Sequence, residues 1–168
     1  MAADKLTATR CRPLLGRLLA LLQAEFGDDL LAVALFGSVA RGHGGPLSDL
    51  DLLIVHRGPR EAALDRFLEV TRELRDGPEY KRLMTEGFLP DPYPVFLSVD
   101  ELERHPWLLL DVVDHGIILF DPPGRLGDEL RRVGQRLADL GARKVTLPDG
   151  TWYWDLKPDW KPGETVEI

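Results

Sequence analysis

Two aspartates separated by one residue are the side chains whose types and spacing most directly suggest chemistry. Asp49 and Asp51 stand at the head of an apolar run that ends at Val55. Alternate side chains of a β-strand share a face, with Cα atoms about 7 Å apart, so both carboxylates would point the same way. Mg²⁺ prefers one or two carboxylates with phosphate oxygens and water, at about 2.1 Å. The pair predicts a site for one or two Mg²⁺ ions, although a short Asp-x-Asp pattern is also typical of a turn cap followed by a solvated strand end.

A glycine–serine pair, Gly37-Ser38, precedes the aspartates, with residues 39–48 between them. Glycine allows backbone conformations and close approaches that other residues hinder, and the N–H groups that follow it can face a phosphate. The Ser38 hydroxyl can hold phosphate oxygens, and Arg41 adds a cation that could contact them. A lone Gly-Ser is usually a plain turn, and Arg41 is equally well explained as a surface arginine. Together with the aspartates, the pair predicts a phosphate-binding turn facing a metal site.

These side chains need strands to hold them. Leu30–Phe36 is a short apolar run followed by glycine, which predicts a buried strand. Residues 50–55 are apolar on both faces, as expected of a central strand that is covered on both sides. The intervening residues 37–48 are rich in glycine and contain Pro46, which indicates a turn, a short helix and a loop. The chemistry would therefore lie between two neighbouring strands.

The rest of the chain predicts helices around a small sheet. Apolar residues at helical spacing predict a helix over residues 13–26. The same spacing predicts further helices over residues 59–75, 79–86, 107–113 and 126–140. Residues 95–99 predict a third strand, and 117–120 form another short apolar run. The layout indicates an α/β fold, with a small mixed sheet flanked by helices.

Composition sets wide bounds on function. The chain has 168 residues, 44% of them hydrophobic, and a single cysteine, Cys11, which fits the reducing cytoplasm. The first residues do not resemble a signal peptide, and no apolar run approaches the roughly 20 residues that span a bilayer. A net charge of −7 argues against a nonspecific nucleic-acid binder. It does not exclude a nucleotide, because a bound metal can supply local positive charge.

The spacing of the two motifs closely resembles a known signature. Gly37-Ser38, the ten residues that follow, and Asp49-x-Asp51 resemble the signature of the DNA polymerase beta nucleotidyltransferase superfamily. Arg41-Gly42 and Ser48 also match its small members, the minimal nucleotidyltransferases. The resemblance covers residues 35–55 and implies a fold similar to the polymerase beta palm.

The resemblance also implies roles for individual residues. Gly37 and Ser38 would bind the triphosphate of a nucleotide, with Arg41 and Ser48 beside them. Asp49 and Asp51 would bind Mg²⁺. The family reaction attacks the α-phosphate of a nucleoside triphosphate, transfers NMP to a hydroxyl and releases pyrophosphate.

Superfamily enzymes usually carry a third carboxylate on a neighbouring strand, where it helps to bind metal and acts as a base. The candidate strand here, residues 94–98, contains no acid. Asp91 lies just before it and is the candidate third catalytic acid. Asp100 and Glu101 follow it, and they suit the first turn of a helix, where acids favour the positive end of the dipole.

The resemblance leaves the acceptor and the activity open. Many minimal nucleotidyltransferases are antitoxins that modify or mask a helical partner of the HEPN type, so a protein acceptor of AMP is the leading hypothesis. A small-molecule acceptor, as in the related aminoglycoside-modifying enzymes, is an alternative. A second class of function is a catalytically weak binding module that neutralises its partner by contact. Association into a homo-oligomer is also open.

The C-terminal part extends beyond the signature. Residues 1–123 are predicted to form the nucleotidyltransferase core, and residues 124–168 a helix and aromatic tail packed on it within one domain. Trp152 and Trp154 alternate with other residues and predict a short strand that seals one face of the core. The alternative is a stacking surface for a base or an anchor for a partner protein.

Overall fold

The computed structural model describes residues 5–149 and 151–166. Its helices are α1 (Ala8–Phe26), α2 (Gly37–Ala40), α3 (Arg60–Asp76), α4 (Pro78–Thr85), α5 (Val99–Glu103), α6 (Leu108–His115) and α7 (Arg125–Asp139). Its strands are β1 (Leu30–Phe36), β2 (Leu50–His56), β3 (Pro92–Leu97), β4 (Ile117–Phe120), β5 (Arg143–Thr146) and β6 (Trp152–Asp155). A short 3₁₀ turn, Gly27–Asp29, joins α1 to β1.

Four strands form a mixed sheet in the order β3-β2-β1-β4. β1 runs antiparallel to β2 and β4, while β2 and β3 are parallel. The carboxyl end of β1 therefore meets the amino ends of β2 and β3 at one end of the sheet, which we call the upper end. Phe36 of β1 pairs there with Asp51 of β2, and Asp51 pairs with Tyr93 of β3. The start of β1 and the end of β2 mark the lower end.

Helices cover both faces of the sheet. α1, α3 and α4 pack on the first face, against β2 side chains that include Leu50 and Leu52. α5, α6 and α7 pack on the second face, against Leu53 and Val55. Because side chains alternate along a strand, Asp51 lies on the second face with Leu53. This arrangement confirms the predicted fold class, a small mixed sheet flanked by helices.

The first helix begins earlier than predicted, at Ala8 instead of residue 13. Thr7 caps it, because its hydroxyl oxygen accepts a hydrogen bond from the Arg10 amide at 3.2 Å, and Pro13 lies inside the helix. The predicted helices over 59–75, 79–86, 107–113 and 126–140 are all present, with bounds shifted by one or two residues. None of the helices in the described parts of the chain is long and apolar enough to cross a bilayer.

The third strand also differs from its prediction, since it spans Pro92–Leu97 instead of 95–99. Proline cannot donate to a ladder of hydrogen bonds and is tolerated mainly on edge strands, and β3 is an edge strand. Ser98 ends the strand because it caps α5: its hydroxyl accepts from the Glu101 amide at 3.2 Å, and the Glu101 carboxylate accepts from the Ser98 amide at 2.8 Å. Asp100 and Glu101 thus lie in the first turn of a helix, as predicted.

The C-terminal part contributes α7 and a two-stranded hairpin. β5 and β6 are antiparallel, with Lys144 paired to Trp154 and Thr146 paired to Trp152. These four side chains share one face of the hairpin, and Trp154 packs against the core of the second face. The predicted short strand is β6, and its partner β5 was not predicted.

Candidate active site

The candidate site lies at the upper end of the sheet, where β1 passes into α2 and the following loop leads into β2. Gly37 opens α2 directly after the Phe36–Asp51 pair, so the glycine turn and the Asp51 carboxylate are neighbours. Asp51 is half-buried, and Asp49 is exposed in the loop just before β2. The structure therefore brings the two sequence motifs together at one place.

Gly37 is the residue on which this geometry depends. Its φ of 72° lies in the left-handed region that favours glycine. A Cβ added to Gly37 would lie 1.9 Å from the Oδ2 atom of Asp51, well inside contact distance. The backbone conformation and the close approach of Asp51 each require glycine here. A side chain at position 37 would displace the Asp51 carboxylate.

Asp51 is in an unfavourable position for a negative charge. Burial raises the pKa of its carboxyl above the usual value, and the Asp49 carboxylate raises this pKa further. Asp111 of α6 acts in the same direction, whereas the Arg41 guanidinium lowers the pKa. Within the described residues, no ion pair or hydrogen bond engages the carboxylates of Asp49 and Asp51. The pair carries negative charge that the chain only partly offsets.

Arg41 directly follows α2 and is half-buried. Its Cζ atom lies 6.0 Å from the centre of the Trp152 ring in the hairpin. No side-chain hydrogen bond or ion pair holds its guanidinium within residues 5–149 and 151–166. The group is therefore positioned near Asp51 with its hydrogen-bond donors available to a ligand.

The two predicted serines lie in different surroundings. Ser38 is half-buried next to Gly37, and its hydroxyl makes no side-chain hydrogen bond among the described residues. The hydroxyl oxygen of Ser48 accepts a hydrogen bond from the Gly45 amide at 2.9 Å, which closes the loop that leads to Asp49. Leu6 fixes the same loop, because its amide donates to the Gly44 carbonyl at 2.8 Å. Ser38 is free to meet a ligand, while the Ser48 hydroxyl already stabilises the loop.

Asp91 lies near the site through its backbone, since its carbonyl accepts from the Leu50 amide at 2.8 Å. Its carboxylate turns away, towards the helices of the first face. The Oδ1 atom accepts hydrogen bonds from the Tyr80 hydroxyl at 2.6 Å and from Arg75 Nε at 3.1 Å. Asp51 faces the other side of the sheet, so the two carboxylates are not brought together. The catalytic role of Asp91 stays a prediction.

The carboxylate oxygens of Asp49 and Asp51 suit a Mg²⁺ site that is shared with a ligand. Among the described residues, no three His, Cys, Asp or Glu side chains lie close enough together to hold a metal by themselves. Mg²⁺ does not require such a set, because one or two carboxylates commonly share it with substrate phosphates and water. Asp49 and Asp51, beside a glycine turn, fit Mg²⁺ that is held jointly with a phosphate ligand.

Two residues near the site were not predicted from the sequence. Asp111 lies on α6, far from both motifs in the chain, and no spacing rule connects it to Asp51. Trp152 was recognised as part of an aromatic tail, but its approach to Arg41 depends on how the hairpin packs. Such pairs could be found from an alignment of related sequences in which the two positions change together.

Known proteins resemble this chain in sequence and in fold. A segment of 42 residues is 45% identical to a candidate protein adenylyltransferase of Methanocaldococcus jannaschii, and it covers 25% of this chain and 29% of that protein. The spectinomycin adenyltransferase of Enterococcus faecialis, solved with ATP and spectinomycin, has a TM-score of 0.52 at 14% identity, over 77% of this chain and 66% of that one. The fold is therefore shared with a known adenyltransferase.

A second solved structure is more distant. It is a complex of a tri-AMPylated HEPN toxin with an MNT antitoxin from Shewanella oneidensis. The TM-score is 0.43 at 15% identity, over 77% of this chain and 92% of that one.

The family assignment comes from the sequence profile of the nucleotidyltransferase domain. This profile matches residues 16–115, more than half of the 168-residue chain. The match contains the Gly37 turn and both aspartates, so it confirms the resemblance on which the sequence interpretation depends. This chain belongs to the nucleotidyltransferase domain family.

Proposed function

We propose that this chain is a Mg²⁺-dependent nucleotidyltransferase that transfers AMP from ATP to a hydroxyl of a protein acceptor. The observation that carries the proposal is the contact between Gly37 and Asp51. It places a half-buried carboxylate, with Asp49 beside it, directly against the turn that would bind phosphates. A divalent cation bound together with a nucleoside triphosphate would supply the positive charge that these carboxylates lack.

The residues of the site would have separate roles in the reaction. Asp49 and Asp51 would hold Mg²⁺, which when bound withdraws charge from the phosphate oxygens. The backbone after Gly37 and the free Ser38 hydroxyl would hold the triphosphate. Arg41 would offset the charge that grows on the pyrophosphate leaving group. Together these residues would present the α-phosphate of the nucleotide to the acceptor hydroxyl.

The acceptor hydroxyl supplies the nucleophile. Its oxygen forms a bond to the α-phosphorus, the bond from that phosphorus to the bridging oxygen breaks, and pyrophosphate leaves with that electron pair. The hydroxyl proton must pass to a base. Asp91 is the candidate, because its Oδ2 atom makes no hydrogen bond among the described residues while Oδ1 accepts from Tyr80 and Arg75. To act, the Asp91 carboxylate would have to turn towards Asp51.

The nature of the acceptor follows from the sequence resemblance. Minimal nucleotidyltransferases that resemble residues 35–55 commonly act on a helical partner of the HEPN type, so we propose such a protein as the partner. Transfer to a small molecule is the alternative acceptor chemistry. The acceptor and the partner are the parts of the proposal that need direct biochemical tests.

A second candidate function is a nucleotidyltransferase-like module that neutralises its partner by contact. The observation in its favour is the residue paired with Asp51 on β3, which is Tyr93 and not an acid. Asp91 lies just before this strand and points to the first face. A site without a third catalytic carboxylate on β3 would catalyse slowly or not at all, even if it still bound a nucleotide.

Calorimetric titration of ATP, with and without Mg²⁺, tests the site. The wild-type chain is expected to bind ATP in a Mg²⁺-dependent manner, and Asp51→Asn is expected to lose the Mg²⁺ dependence because one ligand is gone. The matched control is Asp29→Asn, an acid at the lower end of the sheet. Equal Mg²⁺-dependent binding by wild type and Asp51→Asn would rule out this metal site.

Transfer of labelled AMP to a candidate HEPN-type partner separates the two functions. An enzyme labels the partner, and Asp49→Asn or Asp51→Asn abolishes the label. A binding module forms the complex without labelling, and its Asp51→Asn variant still protects cells from the partner. Protection without any label would decide for the second function.

A further inference from the structure

We propose that Trp152 positions the Arg41 guanidinium for the triphosphate, so that the C-terminal hairpin takes part in nucleotide binding. This inference rests on the proposed function. The hairpin, strands β5 and β6, lies outside residues 16–115, the part that matches the nucleotidyltransferase domain. The family resemblance therefore gives this contact no role.

The contact between the two side chains is a cation–π pair. The Arg41 Cζ atom lies 6.0 Å from the centre of the Trp152 ring, at the outer limit of this interaction. Trp152 is half-buried, as is Arg41, so solvent screens the pair less than it screens an exposed one. Within the described residues no ion pair or side-chain hydrogen bond holds Arg41, and the cation–π contact with Trp152 restricts where its guanidinium points.

The ring has further contacts that hold it in place. The Lys144 ammonium lies 4.0 Å from the centre of the Trp152 ring and forms an ion pair with Asp114 of α6. Trp154, two residues along the same strand, packs against the core of the second face. These contacts attach the hairpin to α6, so the Trp152 ring offers Arg41 a fixed surface.

The ligand chemistry that fits this arrangement is a polyphosphate. A guanidinium presents a planar set of donors that matches phosphate oxygens, often through two parallel hydrogen bonds. Arg41 sits on the loop that joins the Gly37 turn to Asp49, and its charge already acts on Asp51. An arginine with a restricted orientation loses less entropy on binding a phosphate than a mobile one does.

Calorimetric titration of two probes, MgATP and magnesium tripolyphosphate, tests the inference on the full chain. Trp152→Ala is expected to weaken binding of both probes about two- to tenfold, the range that corresponds to a partly buried cation–π contact. Arg41→Ala is expected to weaken both probes at least as much. The double variant is expected to bind no more weakly than Arg41→Ala, because the ring acts through Arg41.

Two further variants provide controls. Trp152→Phe keeps an aromatic ring and is expected to restore most of the lost affinity, which also covers the case in which Trp152→Ala fails to fold. Tyr153→Ala alters the neighbouring exposed residue on the opposite face of the hairpin and is expected to bind both probes like the wild type.

Each other outcome has a definite meaning. Weaker MgATP binding with unchanged tripolyphosphate binding would show that Trp152 contacts the base, and it would overturn the inference. Additive losses in the double variant, or wild-type binding by Trp152→Ala, would do the same. These results leave the proposed function standing. A wild-type chain that binds neither probe would overturn the proposed function and this inference with it.

Discussion

The two ends of the sheet hold acidic residues in different states of charge balance. At the lower end, the Oδ2 atom of Asp29 accepts a hydrogen bond from Arg66 at 3.1 Å, and the Glu25 carboxylate forms an ion pair with the same arginine at 3.6 Å. At the upper end, no ion pair engages Asp49 or Asp51 within the described residues, and burial raises the Asp51 pKa. Acids paired within the chain stabilise the fold, whereas a half-buried acid such as Asp51, whose charge is only partly offset, is suited to a cation from solution.

By cavity volume alone, the lower end of the sheet would be chosen as the binding site. A cavity of about 700 Å³ lies at the lower end, lined by Leu31, Arg57 and Pro122 among others. Large pockets are the usual first choice for a binding site. Charge balance and the close approach of Asp51 to Gly37 favour the upper end instead, because the proposed site would hold Mg²⁺ and a triphosphate.

Asp91 tests whether charge balance separates structural acids from functional ones, because it lies at the upper end but forms an ion pair with Arg75. If it is the base, Asp91→Asn is expected to lower the transfer rate about 10²–10⁴-fold, the usual contribution of general-base help. Asparagine keeps the oxygen that accepts from Tyr80, so the free energy of unfolding is expected to fall by about 1 kcal/mol or less. The rate of AMP transfer and the free energy of unfolding in urea are both measured for this variant. An unchanged rate would place Asp91 with the structural acids, like Asp29.

Gly37→Ala tests the upper end by steric means. The added Cβ would meet the Asp51 carboxylate, and a displacement of about 1 Å in a catalytic group commonly costs about 10²-fold in rate. Transfer of labelled AMP is the measurement. Gly16→Ala is the matched control, because a Cβ there meets nothing within 4 Å and alanine favours a helix interior. Full activity in Gly37→Ala would mean that the position of Asp51 is unimportant.

Local signals in the sequence were sufficient for the parts of the fold that hold the motifs. β1 and β2 are short apolar runs bounded by glycine, serine and acidic residues, and such patterns depend on near neighbours in the chain. β3 begins earlier than predicted, because it includes the prolines at 92 and 94, which are unusual within a strand. Their tolerance depends on β3 being an edge strand, which only the complete sheet determines.

The details of the site depend on long-range packing and were harder to predict. The sequence spacing indicated that Asp49 and Asp51 share a face, but it gave no direction for the Asp91 carboxylate. That direction is set by Tyr80 and Arg75 on two helices. The approach of Trp152 to Arg41 likewise requires a hairpin to fold back on α6. Side chains from distant segments meet through tertiary packing, which a single sequence does not display.

The pH dependence of stability tests whether the Asp51 charge destabilises the folded state. A carboxyl with a raised pKa in the folded state binds its proton more tightly there than in the unfolded chain, so it stabilises the fold as pH falls through the folded pKa. Above that pH the ionised Asp51 carboxylate destabilises the folded state. In EDTA, Asp51→Asn is therefore expected to unfold at higher urea than wild type at pH 7, and the difference is expected to vanish below the unfolded pKa of 3.8.

Adding Mg²⁺ with ATP to the same samples supplies the control. The wild type is expected to gain stability because the ligand binds only the folded state, whereas Asp51→Asn is expected to gain less. If wild type and Asp51→Asn unfold alike at every pH in EDTA, the Asp51 charge carries no cost in the folded state, and the distinction between the two ends fails.

The smallest effect is expected at the lower end, where Asp29 is balanced by Arg66. Both side chains are partly exposed, at 48% and 30%, so solvent weakens their attraction. Asp29→Asn is expected to lower the free energy of unfolding by about 0.2–1 kcal/mol, the range measured for surface ion pairs. AMP transfer by Asp29→Asn is expected to equal that of the wild type. A large loss of transfer would show that the lower end also serves the reaction, and charge balance would then not separate structural acids from functional ones.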